Sequence, residues 1–469
     1  MDQKTMPTLM EFAAKSLLSN EPAAIQALEV LPKHLFIPLF KTAFLGRQKE
    51  VLKAMVRVWP FHCLHIGTLN IQEPPYEILE AMVDGLQFIP AQNTPSGDPK
   101  LRILDLRQSH DYGITCSYRA KQSLCLHSCV YSEHSIIKVE EALNRVRCSE
   151  MATPESEPVS AWKPIELVVN LSFNSNLRTK RFLYFLKSKV EQSFGSLHLC
   201  CRYLQINQIS VHTSSLQILD PACIDHLEVN RVHLKTVVTL LPQLIHLNSL
   251  TLTSIPFQSC NGPNFEIFLT WLGKLDILQE LSLSFFYLSD QLHKLLRVLQ
   301  SPVHLNTLNL PFCDLSNKDL TVLSQSSQVN HLKRLDLSNN QIIVGGYEPF
   351  LTLLERVSGT LEYLEINNCK ITDSSLSAIL PALGRCSHLR FLSLAYNSLT
   401  MSALQNLLQS LTALMDLKRV VHPVPVHCYE QGSFRGSLDR RKLAAVKAQL
   451  NLMLQTAQRN DMYWTTYPE

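Results

Sequence analysis

Between residues 247 and 399 the apolar positions recur in one phase: one apolar residue, two variable ones, then two apolar residues either side of a single variable one, and a further apolar residue beyond. The copies read Leu247-Leu250-Leu252-Ile255, Leu278-Leu281-Leu283-Leu288 and Leu305-Leu308-Leu310-Leu315. They continue with Leu332-Leu335-Leu337-Ile342, Leu361-Leu364-Ile366-Ile371 and Leu389-Leu392-Leu394-Leu399. Start-to-start distances, by subtraction of the residue numbers, are 31, 27, 27, 29 and 28. A weaker copy is Ile224-Leu227-Val229-Val232, a degenerate one lies near Leu197 and Leu199, and Leu101-Leu104-Leu106 stands alone. The alternating part predicts a short strand with its leucines turned inward and the intervening residues turned out. The rest of each copy leaves room for a helix, expected over Asp290 to Leu299, Asn317 to Leu323 and Ser374 to Leu383.

One strand and one helix cannot bury their own apolar faces, so neighbouring copies must stack. The fold class that follows is α/β: a leucine-rich-repeat solenoid, a horseshoe with parallel strands on its concave wall and helices on its convex wall. Asn340 and Asn397 stand where an asparagine side chain can satisfy backbone groups in the turn, and Cys313 and Cys369 occupy the equivalent place. Outside the repeats, residues 10–90 read as helical and residues 105–163 as irregular. Met151 to Ser160 is rich in Pro, Ser and Glu and reads as a solvated linker. Leu438 to Leu454 is amphipathic and helical, a cap for the open end of the solenoid. The organisation expected is a helical N-terminal region over 1–95, a first degenerate repeat and irregular loop over 96–165, the solenoid over 166–420 and the cap over 421–469.

Outward strand positions are the candidate substrate-binding residues: Glu280, Ser282, Arg334, Asp336, Tyr363, Glu365, Phe391 and Ser393. Charges mixed with exposed aromatics suit a protein interface, where aromatic residues and arginine supply most of the affinity. A merely solvated face is the alternative for any one of them.

Composition narrows the function. Of 469 residues, 46% are apolar and 18% charged, against about 25% charged in an average soluble protein. The 43 basic and 40 acidic residues give a net charge of +3, which argues against direct nucleic-acid binding through a phosphate-neutralising surface. The sequence has neither a secretory h-region nor an apolar run near the roughly 20 residues that span a bilayer. The 13 cysteines therefore read as reduced thiols of a cytoplasmic or nuclear protein without a membrane segment. There is no glycine-rich phosphate loop, nucleophile elbow or His-Glu-x-x-His motif, so neither enzymatic activity nor a cofactor is expected. Cys116, Cys125, Cys129 and His134 lack compact zinc-ligand spacing, and no metal is expected. Two Leu-x-x-Leu-Leu segments, Leu292 to Leu296 and Leu404 to Leu408, could dock in nuclear-receptor grooves. Their place on the helices predicts core leucines instead. The basic run Arg178 to Arg181 reads as a solvated helix start.

Near the N-terminus, Thr8-Leu9 with Ala13 and Leu17 places apolar residues four apart on one helix face. This resembles the BC box by which substrate receptors dock on elongin C, with Ala13 where that box prefers cysteine. An amphipathic helix covering its own core is the plain alternative. Leu31-Pro32, followed by Leu35 and Leu39, resembles a cullin-2 box, with proline tolerated at a helix start. Beyond these motifs, the stretches Ala27 to Pro32, Leu52 to Phe61, Leu101 to Arg107, Asn397 to Leu399 with Ser402 to Gln405, and His422 to Pro425 resemble the PRAME (preferentially expressed antigen in melanoma) family along essentially the whole chain. The resemblance implies a horseshoe serving as substrate receptor of a cullin-2 RING ubiquitin ligase, joined through elongin B/C and promoting proteasomal degradation. It also implies roles in transcriptional repression, proliferation and reduced differentiation and apoptosis. The sequence stops at Tyr467-Pro468-Glu469, without the cysteine-bearing tail of some relatives. The rival expectation is a protein-binding scaffold or corepressor without a ligase. An enzyme inhibitor acting through the concave face ranks third.

Overall fold

Each clean copy of the pattern becomes one strand followed by a helix or turn. The computed structural model describes residues 8–61, 63–67, 69, 75–86, 101–108, 164–173, 177–207, 219–255, 262–299, 304–430 and 436–467. The chain divides into two compact units, Met1–Tyr203 with His212–Cys223, and Leu204–Val211 with Ile224–Glu469.

The first unit opens with helices α1 (Leu9–Leu18), α2 (Glu21–Ala27), α3 (Lys33–Leu45) and α4 (Lys49–Arg57). It continues through β1 (Cys63–Gly67), α5 (Tyr76–Asp84), β2 (Ile103–Gln108), β3 (Ile165–Phe173), α6 (Leu177–Gln192) and β4 (Leu197–Asn207), the last belonging here as far as Tyr203. Local chemistry sets the helix starts. Thr8 and Glu11 form a reciprocal capping box on α1, Glu11 N–H donating to Thr8 Oγ1 at 3.3 Å and Thr8 N–H to Glu11 Oε2 at 2.9 Å. Asn20 caps α2, whose first turn holds Pro22, and Pro32 occupies the N-cap of α3. The helices close over an aromatic core in which Phe40 packs edge-on against Trp59 at 5.3 Å and Phe36 against the same ring at 6.0 Å.

Residues 10–90 are not wholly helical: β1 interrupts them. Cys63, Leu64 and Ile66 are all buried, and Trp59 Nε1 donates to the carbonyl of Cys63 at 3.1 Å. So short a run shows no alternation for a sequence pattern to catch. β1 pairs in parallel with β2, and β2 with β3.

In that register His65 lies beside Asp105. Its Nδ1 is 3.0 Å from Asp105 Oδ2, while Arg107 donates through Nε at 2.9 Å and Nη2 at 2.7 Å. Burial pushes the Asp105 carboxyl up, but hydrogen bonds from Arg107 and then His65 outweigh it and hold the group at about 2, below the ordinary 3.8. The folded state thus binds its proton more weakly than the unfolded chain. The resulting stability is present above about pH 4 and lost as pH falls through about 2. Asp105→Asn should cost about 2 kcal/mol at pH 7 and nearly nothing at pH 2. Denaturant melts of the first unit across that range check it, and a cost independent of pH would reject this account.

The second unit holds β5 (His226–Asn230), β6 (Ser249–Thr253), β7 (Glu280–Ser284), β8 (Thr307–Asn309), β9 (Arg334–Asp336), β10 (Tyr363–Glu365), β11 (Phe391–Ser393), β12 (Arg419–Val421) and β13 (Tyr463–Thr465). They run parallel, paired in chain order. Between them come α7 (Leu234–Leu240), α8 (Pro263–Leu272), α9 (Leu292–Val298), α10 (Asn317–Gln325), α11 (Glu348–Val357), α12 (Asp373–Leu383), α13 (Met401–Leu411) and α14 (Arg440–Thr456). The register is that of the repeat: Leu281, Leu308, Leu335, Leu364 and Leu392 stand side by side, all buried. Leu292, Leu295, Leu296, Leu404, Leu407 and Leu408 are buried too, so both Leu-x-x-Leu-Leu segments are core.

The asparagine ladder is present in full. Asn340 Oδ1 accepts from the N–H groups of Cys313 and Leu315, each at 3.0 Å, and Nδ2 donates to the carbonyls of Leu310 and Leu337 at 2.8 and 2.9 Å. Asn397 repeats this with Cys369, Ile371, Ile366 and Leu394 at 2.8–3.1 Å. Cys313 and Cys369 are buried, their thiols donating to the carbonyls of Leu283 at 3.0 Å and Leu337 at 3.2 Å.

After the last clean copy the expected cap helix forms as α14, but the segment also returns a strand. β13 pairs with β12, Val420 opposite Trp464. The intervening Arg459, 3% exposed, donates to the carbonyls of Thr412, Leu414 and Leu417 at 2.6, 3.0 and 2.8 Å.

Candidate functional site

Two surfaces carry the residues singled out in the sequence, one in each unit. In the first unit, α1 turns Ala14 and Leu18 into the core. The opposite side is apolar and open: Leu9 is 87% exposed and Phe12 57%, Ala13 is exposed, and Leu17 is half-buried. The capping box places Thr8 at the head of this face. Leu9, Phe12 and Ala13, three and four residues apart, share one face of the helix. Phe12 was not part of the sequence reading; its spacing from Leu9 was the available signal.

The second motif is split. Pro32 is exposed, Leu31 and Leu35 are half-buried, and Leu39 is 3% exposed within the core of the helical region. Position 39 faces inward because it shares a side of α3 with Phe36, Phe40 and Ala43, all buried.

In the second unit the outward strand residues form two rows. Across the first, Glu280 stands opposite Thr307, Thr307 opposite Arg334, Arg334 opposite Tyr363, Tyr363 opposite Phe391 and Phe391 opposite Arg419. The Arg334 guanidinium sits 4.2 Å from the centre of the Tyr363 ring, Tyr363 and Phe391 are 6.1 Å apart, and Arg419 lies 5.8 Å from Phe391. Four of these side chains therefore make a continuous cation–π and aromatic strip. Arg419 extends it beyond the residues the sequence suggested, because Val420 and Val421 stand outside the leucine pattern.

The second row is Ser282, Asn309, Asp336, Glu365 and Ser393. Burial pushes the Asp336 carboxyl up; burial does the same to Glu365, with the neighbouring Asp336 charge adding to it. Two carboxylates thus sit side by side, partly desolvated, beneath the aromatic strip. Ser393 departs from the expectation of an outward contact. It is buried, and its hydroxyl donates to Asn367 Oδ1 at 2.6 Å, which takes it out of reach of a partner.

Further aromatics were missed. Phe285 and Phe312 are exposed and stack at 4.4 Å with 9° between their planes. Each follows its repeat's second strand leucine by two residues and has positive φ, 60° and 56°, as Tyr396 does in a later copy. A recurring aromatic at that turn position was the signal. Cys116, Cys125, Cys129 and His134 lie outside the described residues. Arg178, Lys180 and Arg181 are exposed on the first turns of α6. No helix among the described residues is long and apolar enough to cross a membrane.

Strand–helix repeats joined by an asparagine ladder make this a leucine-rich-repeat protein. A family model described as the PRAME C-terminal domain matches residues 165–468, and one described as the PRAME N-terminal domain matches residues 6–112. The chain belongs to the PRAME family. Leucine-rich repeat-containing protein 14 of Bos taurus is 33% identical over 503 residues, covering 98% of this chain and 97% of that one. PRAME family member 12 of Homo sapiens is 34% identical over 444 residues, covering 92% and 87%. Among solved structures, one described as the complex of Rad7 and Elc1 in yeast aligns with a TM-score of 0.43 at 14% identity, over 92% of this chain and 98% of that one.

Proposed function

We propose that this chain is the substrate-binding subunit of a cullin-2 RING ubiquitin ligase, taking elongin C on α1 and its protein target on the strand face of the second unit. The observation that carries the proposal is the open apolar face of α1. A helix made only to cover its own core would not hold Leu9 and Phe12 in water, and the small Ala13 between the leucines lets a second helix approach closely. Elongin B would follow through elongin C. Leu31, Pro32 and Leu35 at the head of α3 are the residues offered to cullin-2, while Leu39 supports that turn from inside. The ligase chemistry would lie with the RING partner and its conjugating enzyme; this chain would contribute proximity and orientation. On the target side, the Arg334–Tyr363–Phe391–Arg419 strip supplies hot-spot chemistry. The carboxyl pair below favours a target that inserts a lysine or arginine, whose charge would offset their burial.

Purified elongin B/C offered to the wild-type chain and to Leu9→Glu tests the first half. Burying a leucine contributes about 1.5–3 kcal/mol, and a buried unpaired carboxylate adds to the loss, so binding should weaken about 100-fold or more. The melting curve should stay in place, because Leu9 makes little contact in the free chain. Pro32→Ala/Leu35→Glu should lose cullin-2 while retaining elongin B/C. If the wild-type chain captures neither partner, the ligase reading fails and a scaffold or corepressor without a ligase takes its place.

A further inference from the structure

We propose that His198, Asp220 and Cys223 of the first unit form a zinc-binding site that ties the start of β4 to the turn before β5. Two separate stretches of chain bring the donors together. In β4, residues two apart share a face, so His198 and Cys200 project from the same side of the strand. In the turn, Pro221–Cys223 form one short 3-10 helix, Cys223 N–H donates to the Asp220 carbonyl at 3.1 Å, and Asp220 and Cys223 face His198 together.

The separations match tetrahedral coordination. His198 Nε2 lies 3.2 Å from Asp220 Oδ2 and 3.8 Å from Cys223 Sγ, and the three donor atoms all lie within 4.8 Å of one another. Ordinary zinc bond lengths at tetrahedral angles place an imidazole nitrogen about 3.3 Å from a carboxylate oxygen and about 3.6 Å from a thiolate sulfur. The Cys200 thiol lies behind that of Cys223 in the same buried cluster, outside the group of three convergent donors. Asp220 is oriented by its other oxygen, Oδ1 accepting from Ala222 N–H at 2.9 Å, as ligating carboxylates commonly are.

The environment suits zinc on both sides. Cys200 is buried in a cluster with Cys63, Ile103 and Val168, against which Cys223 packs. The side chains of His198 and Asp220 are 32% and 44% exposed, leaving a way in for the ion. A thiolate and an imidazole beside one carboxylate form a donor set for a borderline-soft cation; magnesium and calcium require oxygen donors throughout. A simple His–Asp ion pair would account for the 3.2 Å contact but leaves the convergence of the Cys223 thiol on it unexplained.

The test uses the full-length chain under reducing conditions, stripped of metal and titrated with zinc chloride against a chromophoric chelator. His198→Ala and Cys223→Ser should each weaken one equivalent of zinc about 100-fold or more. Cys386→Ser, altering a buried thiol of the second unit, should leave it unchanged. On the wild-type chain, one equivalent of zinc should protect Cys223 from iodoacetamide, read by peptide mass spectrometry, and magnesium should not. Equal alkylation of Cys223 with and without zinc overturns the proposal, as do variants that bind zinc like the wild type. If the variants fail to fold, the wild-type protection experiment decides alone.

Discussion

Asn340→Ala is expected to destabilise the repeat around β9 by about 3–5 kcal/mol, because one side chain there serves four buried backbone groups. Its loss leaves the N–H groups of Cys313 and Leu315 and the carbonyls of Leu310 and Leu337 without their partner. An orphaned buried group costs about 1–3 kcal/mol, moderated here by whatever water enters the space vacated. Few single substitutions reach that size. Asn340→Asp separates the two halves of the arrangement. It keeps an acceptor for the two N–H groups but removes both donors and buries a charge, so it should be no better than alanine. The measurement is hydrogen exchange in denaturant, read at the amides of β8, β9 and β10. Protection should fall there and persist in β5 and β6, since repeats contact mainly their neighbours. A loss below about 1 kcal/mol, small beside the orphan penalties, would mean that water replaces the amide without cost.

Arg459→Ala is the second large effect, again about 3–5 kcal/mol, because three carbonyls lose their donor at about 1–3 kcal/mol for each orphaned group, less what entering water recovers. The guanidinium is 3% exposed and closes three carbonyls of the segment between α13 and β12. It also pairs with Asp461, its Nε donating to Oδ1 at 2.9 Å, and Lys418 reaches the same carboxylate at 2.5 Å. Those hydrogen bonds, Arg459's first and Lys418's second, hold the Asp461 carboxyl well below the usual range. Without Arg459, β13 and α14 should lose protection before the inner repeats. Arg459→Lys should recover only part of the loss, because a single ammonium cannot reproduce the planar fork that meets three carbonyls. Uniform loss of protection across the second unit would sink the idea that this residue closes one end.

The solenoid was legible because its leucines repeat in one phase and every one of them is inward. Where that phase fails, sequence reading failed with it. β1 offers only Leu64 and Ile66 around a histidine, too short to show alternation between two helical stretches. β3 runs Ile165–Phe173 with apolar residues on both faces, buried at Leu167, Val168 and Val169 in succession, so it lacks the repeat's signature. β13 lies within a segment whose helix dominates the pattern. The candidate surfaces were half visible. Strand alternation correctly turned Arg334, Tyr363 and Phe391 outward, but it could not tell that Asn367 holds the Ser393 hydroxyl. Helical spacing picked Leu9 and Ala13 without showing that they are open rather than packed, and it put Leu39 on a docking face although the Phe36–Phe40 side claims it. The histidine–aspartate–cysteine group was invisible, because His198 and Cys223 meet only through the approach of a strand to a turn 22 residues further on (from His198 to Asp220).

The pairing of β5 to β13 in chain order has a consequence for how this unit is made. Each strand docks on the one synthesised just before it, so on the ribosome the repeats can settle one by one as they leave the exit tunnel. At every stage the most recent repeat presents an unpaired strand edge and a row of bare leucines. The row of bare leucines travels along the nascent chain until α14 and Tyr463–Thr465 emerge, β13 taking the edge of the sheet beside β12 and Arg459 closing the carbonyls behind it. Translation that halts anywhere before those residues would leave a product folded over most of its length yet carrying an uncovered row of leucines, a natural substrate for chaperones and quality-control proteases.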